Sequence, residues 1–382
     1  MRKSEQFSTT VYVPSLAYNG YTLFTPIGPS MGRNMVWLID MQGNFVHRWE
    51  VPLIAAAHGV LLPNGNLLYA GKFPDGPFAK DFGGAGGILV ELDWDGKEVW
   101  RYEDPYMHHD FYRMDNGNTM VLRWEAVPDD IAAKVKGGVP GTERKGIIWA
   151  TSFHEIDPGG NIIWEWYAYD HFDPEIDVIC PLCHRAEWDH ANSCVVLPDG
   201  NVMTTCLYFD SILIIDKNTG DIKWRWGKGE LAHPHNPNIL DNGNILVFDN
   251  GLHRPMSYPS YSRVLEIEPE SGKIVWEYKD KIPWNFYSSF ISGAQRLPNG
   301  NTLICEGAKG RFFEVTREGE TVWEYRNPFY FDTPILNFGI NNRVFRTHRY
   351  DPEYPGLKGR GLDPKKFNGL NFIYGVEGFK QL

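Results

Sequence analysis

Counting back eight residues from a glycine that recurs through this chain lands on Ala57, His109, Asn192, His235 and Ser292. Histidine is scarce here, 12 in 382 residues, yet histidine or asparagine holds three of those five places. His58 lies one step from the first. His190 stands two residues before Asn192, and His233 two before His235. Alternation along an extended strand would put each pair on one face. A lone imidazole is most often a hydrogen-bonded structural group. Several in register across a repeat point to a site, because convergence of titratable groups has no obvious packing purpose. Imidazole can attack as a nucleophile, carry a proton or bind a metal. The pattern leaves all three open. The metal reading takes His58, His109, His190 and His235 as ligands of a divalent ion, the one cofactor the cluster would accommodate.

What must position these residues is a repeat. LLPNGNLLYAG (61–71), RMDNGNTMVLR (113–123), VLPDGNVMTTC (196–206), ILDNGNILVFD (239–249) and RLPNGNTLICE (296–306) are each strand, turn, strand. Asn-Gly and Asp-Gly supply the positive φ that a tight hairpin requires. Each is followed by a strand, a second turn and an alternating strand ending in Trp and an aromatic, as in FFEVTREGETVWEY (312–325). A sixth copy of this second element, MVWLIDMQGNFVHRWEV (35–51), opens the chain. Two hairpins make a four-stranded blade, and six copies make six blades. The expected fold is an all-β, six-bladed β-propeller of four-stranded antiparallel blades, one domain over 1–382. The segment around NRVFRTHRY (342–350), within a closing stretch 326–382, is expected to pair with the N-terminal unit and close the ring. The Trp residues are expected to pack between blades. The largest extra stretch, 124–188, contains DDIAAKVKGG (129–138), read as a short helix. Equivalent blade positions surround one axis, so the imidazoles should converge at one end of the channel.

The motifs HHDFYRMDNGNT (108–119), CPLCHRAEWDHANS (180–193), HNPNILDNGNILVFDNG (235–251), SGAQRLPNGNTLICEG (292–307) and RYDPEYPGLKGR (349–360) resemble the arylsulfotransferase family, the PAPS-independent aryl-sulfate sulfotransferases and their bacterial relatives. The likeness runs over most of the chain. It implies a six-bladed propeller that moves a sulfuryl group between phenols through a sulfated histidine. By motif the nucleophile would be His235. His109, His190 and Asn192 match positions that bind the sulfate and assist proton transfer. At two places the sequence departs. Leu207 stands where the family places an arginine, the residue whose fork of donors grips an oxyanion. Pro234-His235-Asn236 replaces Gln-His-Asp. Arg123, Arg254 and Arg263 are the cations that could stand in.

Other residues complete the expected site. His58, Leu207, Tyr208, Trp188 and His253, with Phe209 and Tyr287 nearby, would suit an aromatic or hydrophobic small molecule. Asp249 and Asn250 would fix the strand end behind His235. Gln295 and Arg296 would edge the sixth blade. His154, His171 and His348 fall outside the register and read as surface or packing residues. Cys180-x-x-Cys183-His184 has a spacing that starts many zinc sites, but no second Cys-x-x-Cys follows. It reads as a loop of buried thiols shared with the family.

The net charge of -11 argues against nucleic acid and anionic membrane as partners. The opening MRKSEQFSTTVYVPS has no apolar core or cleavage pattern, and no apolar run approaches a membrane span. With five unevenly spaced cysteines, the expectation is a cytoplasmic protein without the secreted members' signal peptide and extra domain. Two other functions remain beside sulfuryl transfer. One is a lyase, hydrolase or oxygenase on the same scaffold, metal-dependent or using a histidine acid/base pair. The other is a non-catalytic interaction propeller.

Overall fold

The repeated turns form because their glycines accept a backbone that other residues resist. Gly65, Gly117, Gly200, Gly243 and Gly300 all have φ between 83° and 90°. Each amide turns back onto a carbonyl three residues earlier, as Gly65 does onto Leu62 at 2.9 Å. A computed structural model describes residues 8–80, 82–332 and 339–374. Residues 1–7 of the opening segment, and 333–338 and 375–382 of the closing stretch, lie outside it. The fold is a β-propeller of six antiparallel blades, as the repeat predicts. No described helix is long and apolar enough to cross a membrane.

The chain divides into two compact units. The first comprises Met1–Phe73, Ile88–Glu103 and Ile291–Leu382. It holds three blades. In the first blade, Val344–Tyr350 pairs with Tyr21–Pro26, followed by Met35–Ile39 and Phe45–Glu50. Tyr21 faces Tyr350 and Phe24 faces Thr347, so NRVFRTHRY completes the N-terminal blade as expected. The next blade runs Ala55–Leu61, Leu67–Lys72, Gly87–Leu92, Glu98–Glu103. The last runs Gly293–Arg296, Thr302–Glu306, Arg311–Val315, Thr321–Arg326. It departs from the four-stranded expectation: Ser8–Tyr12 adds a fifth strand against Thr321–Arg326. That strand covers an edge whose amides and carbonyls would otherwise face outward.

The second unit comprises Pro74–Gly87 and Asp104–Phe290. Its blades are Met107–Arg113, Thr119–Ala126, Trp149–Ile156, Ile162–Tyr167; then Val195–Val196, Val202–Cys206, Ser211–Ile215, Ile222–Trp226; then Pro234–Ile239, Ile245–Asp249, Arg263–Glu268, Lys273–Tyr278. The extra stretch 124–188 is not continuous. It flanks the outer hairpin Trp149–Tyr167 of its own blade. It includes a four-residue helix, Asp129–Ala132, and a parallel pair, Gly137–Val139 with Ile179–His184.

The closing Trp residues do more than fill space. Trp164 and Trp166 donate to the carbonyls of Lys217 and Gly220 in the following blade. Trp224 and Trp226 do the same to Pro269 and Gly272. In the first unit Trp323, fully buried, donates to Met41 at 2.8 Å. The ring supplies apolar area, and the indole N–H satisfies a turn carbonyl. Trp323→Phe should keep most of the packing and strand that carbonyl, costing about 1–3 kcal/mol. Trp323→Ala should cost about 3–5 kcal/mol. Thermal midpoints in that order would check both contributions.

Candidate functional site

His235 sits on the inner strand Pro234–Ile239, opposite Phe248. The ladder slips between His235 and Asn238, and Asn236 takes φ +52°. Such a bulge re-aims side chains at the cost of local strain. Asn250 fixes the ring. Its Nδ2 donates to the Ser288 carbonyl (2.7 Å), so its Oδ1 is the atom facing His235. That oxygen accepts from His235 Nδ1–H at 2.7 Å. Nδ1 therefore carries a proton, and in the neutral ring Nε2 carries the lone pair. Asn192, fully buried, donates to the Pro234 carbonyl (2.9 Å) and accepts from Thr205 Oγ1 (2.6 Å). It therefore pins the backbone beside His235.

A second group forms around His190. Its Nδ1–H donates to Glu187 Oε1 at 2.8 Å. Glu187 is fully buried, and its Oε2 accepts from Trp124 Nε1 at 2.8 Å. Burial alone would push His190 down, but the charge and hydrogen bond of Glu187 outweigh it and hold the imidazole above its ordinary range. Burial likewise raises Glu187, and the His190 charge reverses that to a net fall. Both shifts favour the ion-paired form, imidazolium with carboxylate. The His190 ring meets His109 edge-on (4.6 Å) and stacks on Tyr208 (5.0 Å).

His109 has φ +52° and lies where its strand skips register. Its Nδ1 shares a proton with His108 Nδ1 at 2.9 Å, one ring donating and the other accepting. His108 lies flat on Trp124 (4.4 Å), and burial drives it down to about 3, so it is neutral at pH 7. Gly84 makes room for His109. A Cβ there would lie 2.3 Å from His109 Nε2. Gly84→Ala should therefore displace His109, with an expected loss of about 10²-fold in kcat/KM and a fall in melting temperature, because Gly84 has φ +74°.

The third group is a quartet. Cys180 and Cys183, on Ile179–His184, meet His233 and His253, and one donor atom of each lies within 4.8 Å of the others. Among the described residues this is the one set of three or more His, Cys, Asp or Glu donors that converges so closely. His58, His109, His190 and His235 are not in it. The completing partners of the Cys-x-x-Cys are two histidines rather than a second cysteine pair. His184 is not among them. It faces the Tyr208 hydroxyl at 3.1 Å.

Several expected roles change. His190 (φ +49°) and His233 (φ +57°) are left-handed. The alternation argument that paired them with Asn192 and His235 fails there, and each neighbouring pair diverges. Leu207 opens a three-residue 3-10 turn and is buried in the apolar core with Cys206 and Phe209. Trp188 is in that core too, its Nε1 donating to Asp177. Tyr208, from the same turn and the same core, stacks on His190. Arg123 is ion-paired to Asp104 and Glu125. Arg254 and Arg263 both bind Asp249. The three candidate stand-in cations are thus committed to carboxylates. His253 belongs to the quartet. Tyr287 is half-buried. His154 is buried and His171 stacks on Trp166 (4.8 Å), both packing residues.

His58 belongs to the first unit. It is buried between Arg346 and His348, each 3.4 Å from a ring nitrogen. His348 is therefore a partner of His58 rather than a surface residue. The residues that sequence reasoning missed are His108, Glu187 and Arg346. Each lies inside a quoted motif or segment, but only the fold shows that it faces one of the candidate histidines, His109, His190 and His58 in turn.

These features define a propeller whose buried imidazoles are held in fixed orientations by neighbouring side chains. Residues 59–328 match the family model described as Arylsulfotransferase (ASST). The chain belongs to that family, and membership points to a transferase-like function on a propeller. Among solved structures, it is similar to a protein of unknown function from Bacteroides caccae, at 15% identity and TM-score 0.53, covering 87% of this chain and 99% of that one. That likeness concerns the fold. A catalytically inactive virginiamycin B lyase from Staphylococcus aureus matches at 12% identity and TM-score 0.45, covering 84% and 88%. The search of curated proteins finds no match.

Proposed function

We propose that the protein transfers a sulfuryl group between phenolic hydroxyls through a covalent intermediate on His235. The observation that carries this is the Asn250 hydrogen bond, which leaves Nε2 of His235 as the nucleophilic nitrogen. In the first half-reaction Nε2 attacks sulfur and the S–O bond to the donor phenol breaks. The departing phenolate takes the proton of His190, whose cationic form Glu187 stabilises. In the second half, neutral His190 takes the proton of an acceptor phenol. Its oxygen attacks sulfur, the N–S bond breaks, and His235 is regenerated. Cationic His190 and the His109 ring beside it would also stabilise the spread negative charge of the transferring group.

The test is direct. The protein is incubated with 4-nitrophenyl sulfate, without acceptor, and digested for peptide mass analysis. A gain of one sulfuryl group on the peptide bearing His235, discharged by added phenol, is expected. Unmodified His235 during steady turnover would sink the reading.

The pairing of Arg123, Arg254 and Arg263 with carboxylates favours a second reading. With those arginines committed to carboxylates, the same histidines could serve as an acid/base pair in a lyase. That reading predicts neither release of 4-nitrophenol nor a sulfated histidine from 4-nitrophenyl sulfate, so the same experiment separates the two.

A further inference from the structure

We propose that Cys180, Cys183, His233 and His253 bind one zinc ion in a closed, four-coordinate site that anchors the strands carrying His235 and Asn250. Bonds of about 2.3 Å to sulfur and about 2.0 Å to nitrogen give a tetrahedron with edges of about 3.3–3.8 Å. The observed separations fit. Cys180 Sγ lies 3.4 Å from His253 Nδ1, Cys183 Sγ 3.5 Å from His233 Nε2, and Cys183 Sγ 3.7 Å from His253 Nδ1. A thiol hydrogen bond would explain any one of these distances. It directs one S–H at one acceptor and does not explain four donors around a common centre, with one nitrogen in reach of both sulfurs. The chemistry of the set selects the metal: two thiolates with two imidazoles suit zinc and disfavour magnesium or calcium. Four protein ligands leave no open position, the mark of a structural site rather than a catalytic one.

The connectivity says what the ion would do. The cysteines come from Ile179–His184, in the extra chain that follows the blade spanning 107–167. His233 immediately precedes Pro234–Ile239, the strand of His235. His253 lies three residues beyond Asn250, the residue that sets the His235 tautomer. One ion would tie the extra chain to both strands of that hairpin. Ligand release would loosen the nucleophile's support without touching its ring. The proposal does not depend on sulfuryl transfer, because its readout is metal content.

The full chain would be produced with zinc present, dialysed against metal-free buffer and assayed by elemental mass spectrometry. Wild type and His184→Ala, which alters a residue outside the quartet, should each retain about one zinc per chain. Cys183→Ser and His253→Ala should each lose it at least about tenfold. Should those variants fail to fold, cobalt exchanged into wild type decides: tetrahedral ligand-field bands with thiolate charge transfer support the site. Wild type without zinc, undiminished zinc in both variants, or cobalt showing no thiolate band would overturn it. So would a denatured, metal-free chain in which two of the five cysteines fail to react, since that means a Cys180–Cys183 disulfide.

Discussion

His235→Ala should lower kcat/KM for aryl sulfates by about 10⁴-fold or more, equivalent to about 5.5 kcal/mol of transition-state stabilisation. It should also abolish the sulfuryl mass gain. The expectation rests on geometry rather than on motif alone. The ring is nine-tenths or more buried, its Nδ1 is occupied by Asn250, and its strand bulges beside it. Asn192, beside it, is consumed by Pro234 and Thr205. Asn250→Ala is the informative companion. It leaves the nucleophile but frees its tautomer and orientation, so a smaller loss of about 10–10²-fold is expected, mostly in kcat. Equal losses in the two variants would mean that His235 acts through Asn250 and not as the attacking group. Residual sulfation in His235→Ala would place the nucleophile elsewhere.

The contrast between His235 and its neighbours shows what a sequence can carry. The turn glycines were legible because one residue type meets one backbone demand. All five occupy the positive φ region that the Asn-Gly and Asp-Gly pairs predict. The closing Trp residues were legible as packing, but their donation to the next blade's turn carbonyl was not, since periodicity carries no hydrogen-bond direction. Strand alternation failed at His190 and His233, where a left-handed residue breaks the period of two. Nothing local marks that break, because neither residue is glycine or asparagine. The quartet was half visible. Cys180 and Cys183 announce a ligand pair by spacing, but His233 and His253 lie 50 and 70 residues beyond Cys183 and join it only through the fold. The turn that holds Leu207 was not legible either: Leu207 and Tyr208 share a buried 3-10 turn, and only the fold shows Tyr208 stacked on His190.

Glu187→Gln should lower turnover by about 10²–10⁴-fold near neutral pH and move the falling limb of the pH profile to lower pH. The sign follows from the pair. His190 is held above its ordinary range, so as a general acid it stays protonated as pH rises past that range. Activity is lost only when pH passes its raised folded value. Glutamine keeps the hydrogen-bonding shape and removes the charge. Burial, which pushes the imidazole down, then prevails over the remaining Asp189 charge. The other titratable groups against His190 do not reverse this. His108 is neutral, and Tyr208 stacks on the ring without a charge because burial raises its hydroxyl. Stability should follow the same logic. The His190 contribution is present at low pH and lost as pH rises through its folded value. The Glu187 contribution is present above its unfolded value and lost as pH falls through its depressed one. The ion pair therefore supports the fold between those limits, and Glu187→Gln should flatten the melting temperature across that window. The leaving group supplies the sharpest check. An acid matters most for a basic phenolate, so the loss should be larger with phenyl sulfate than with 4-nitrophenyl sulfate. Equal losses with both donors would remove His190 from the proton path and leave it as an electrostatic partner of the transferring group.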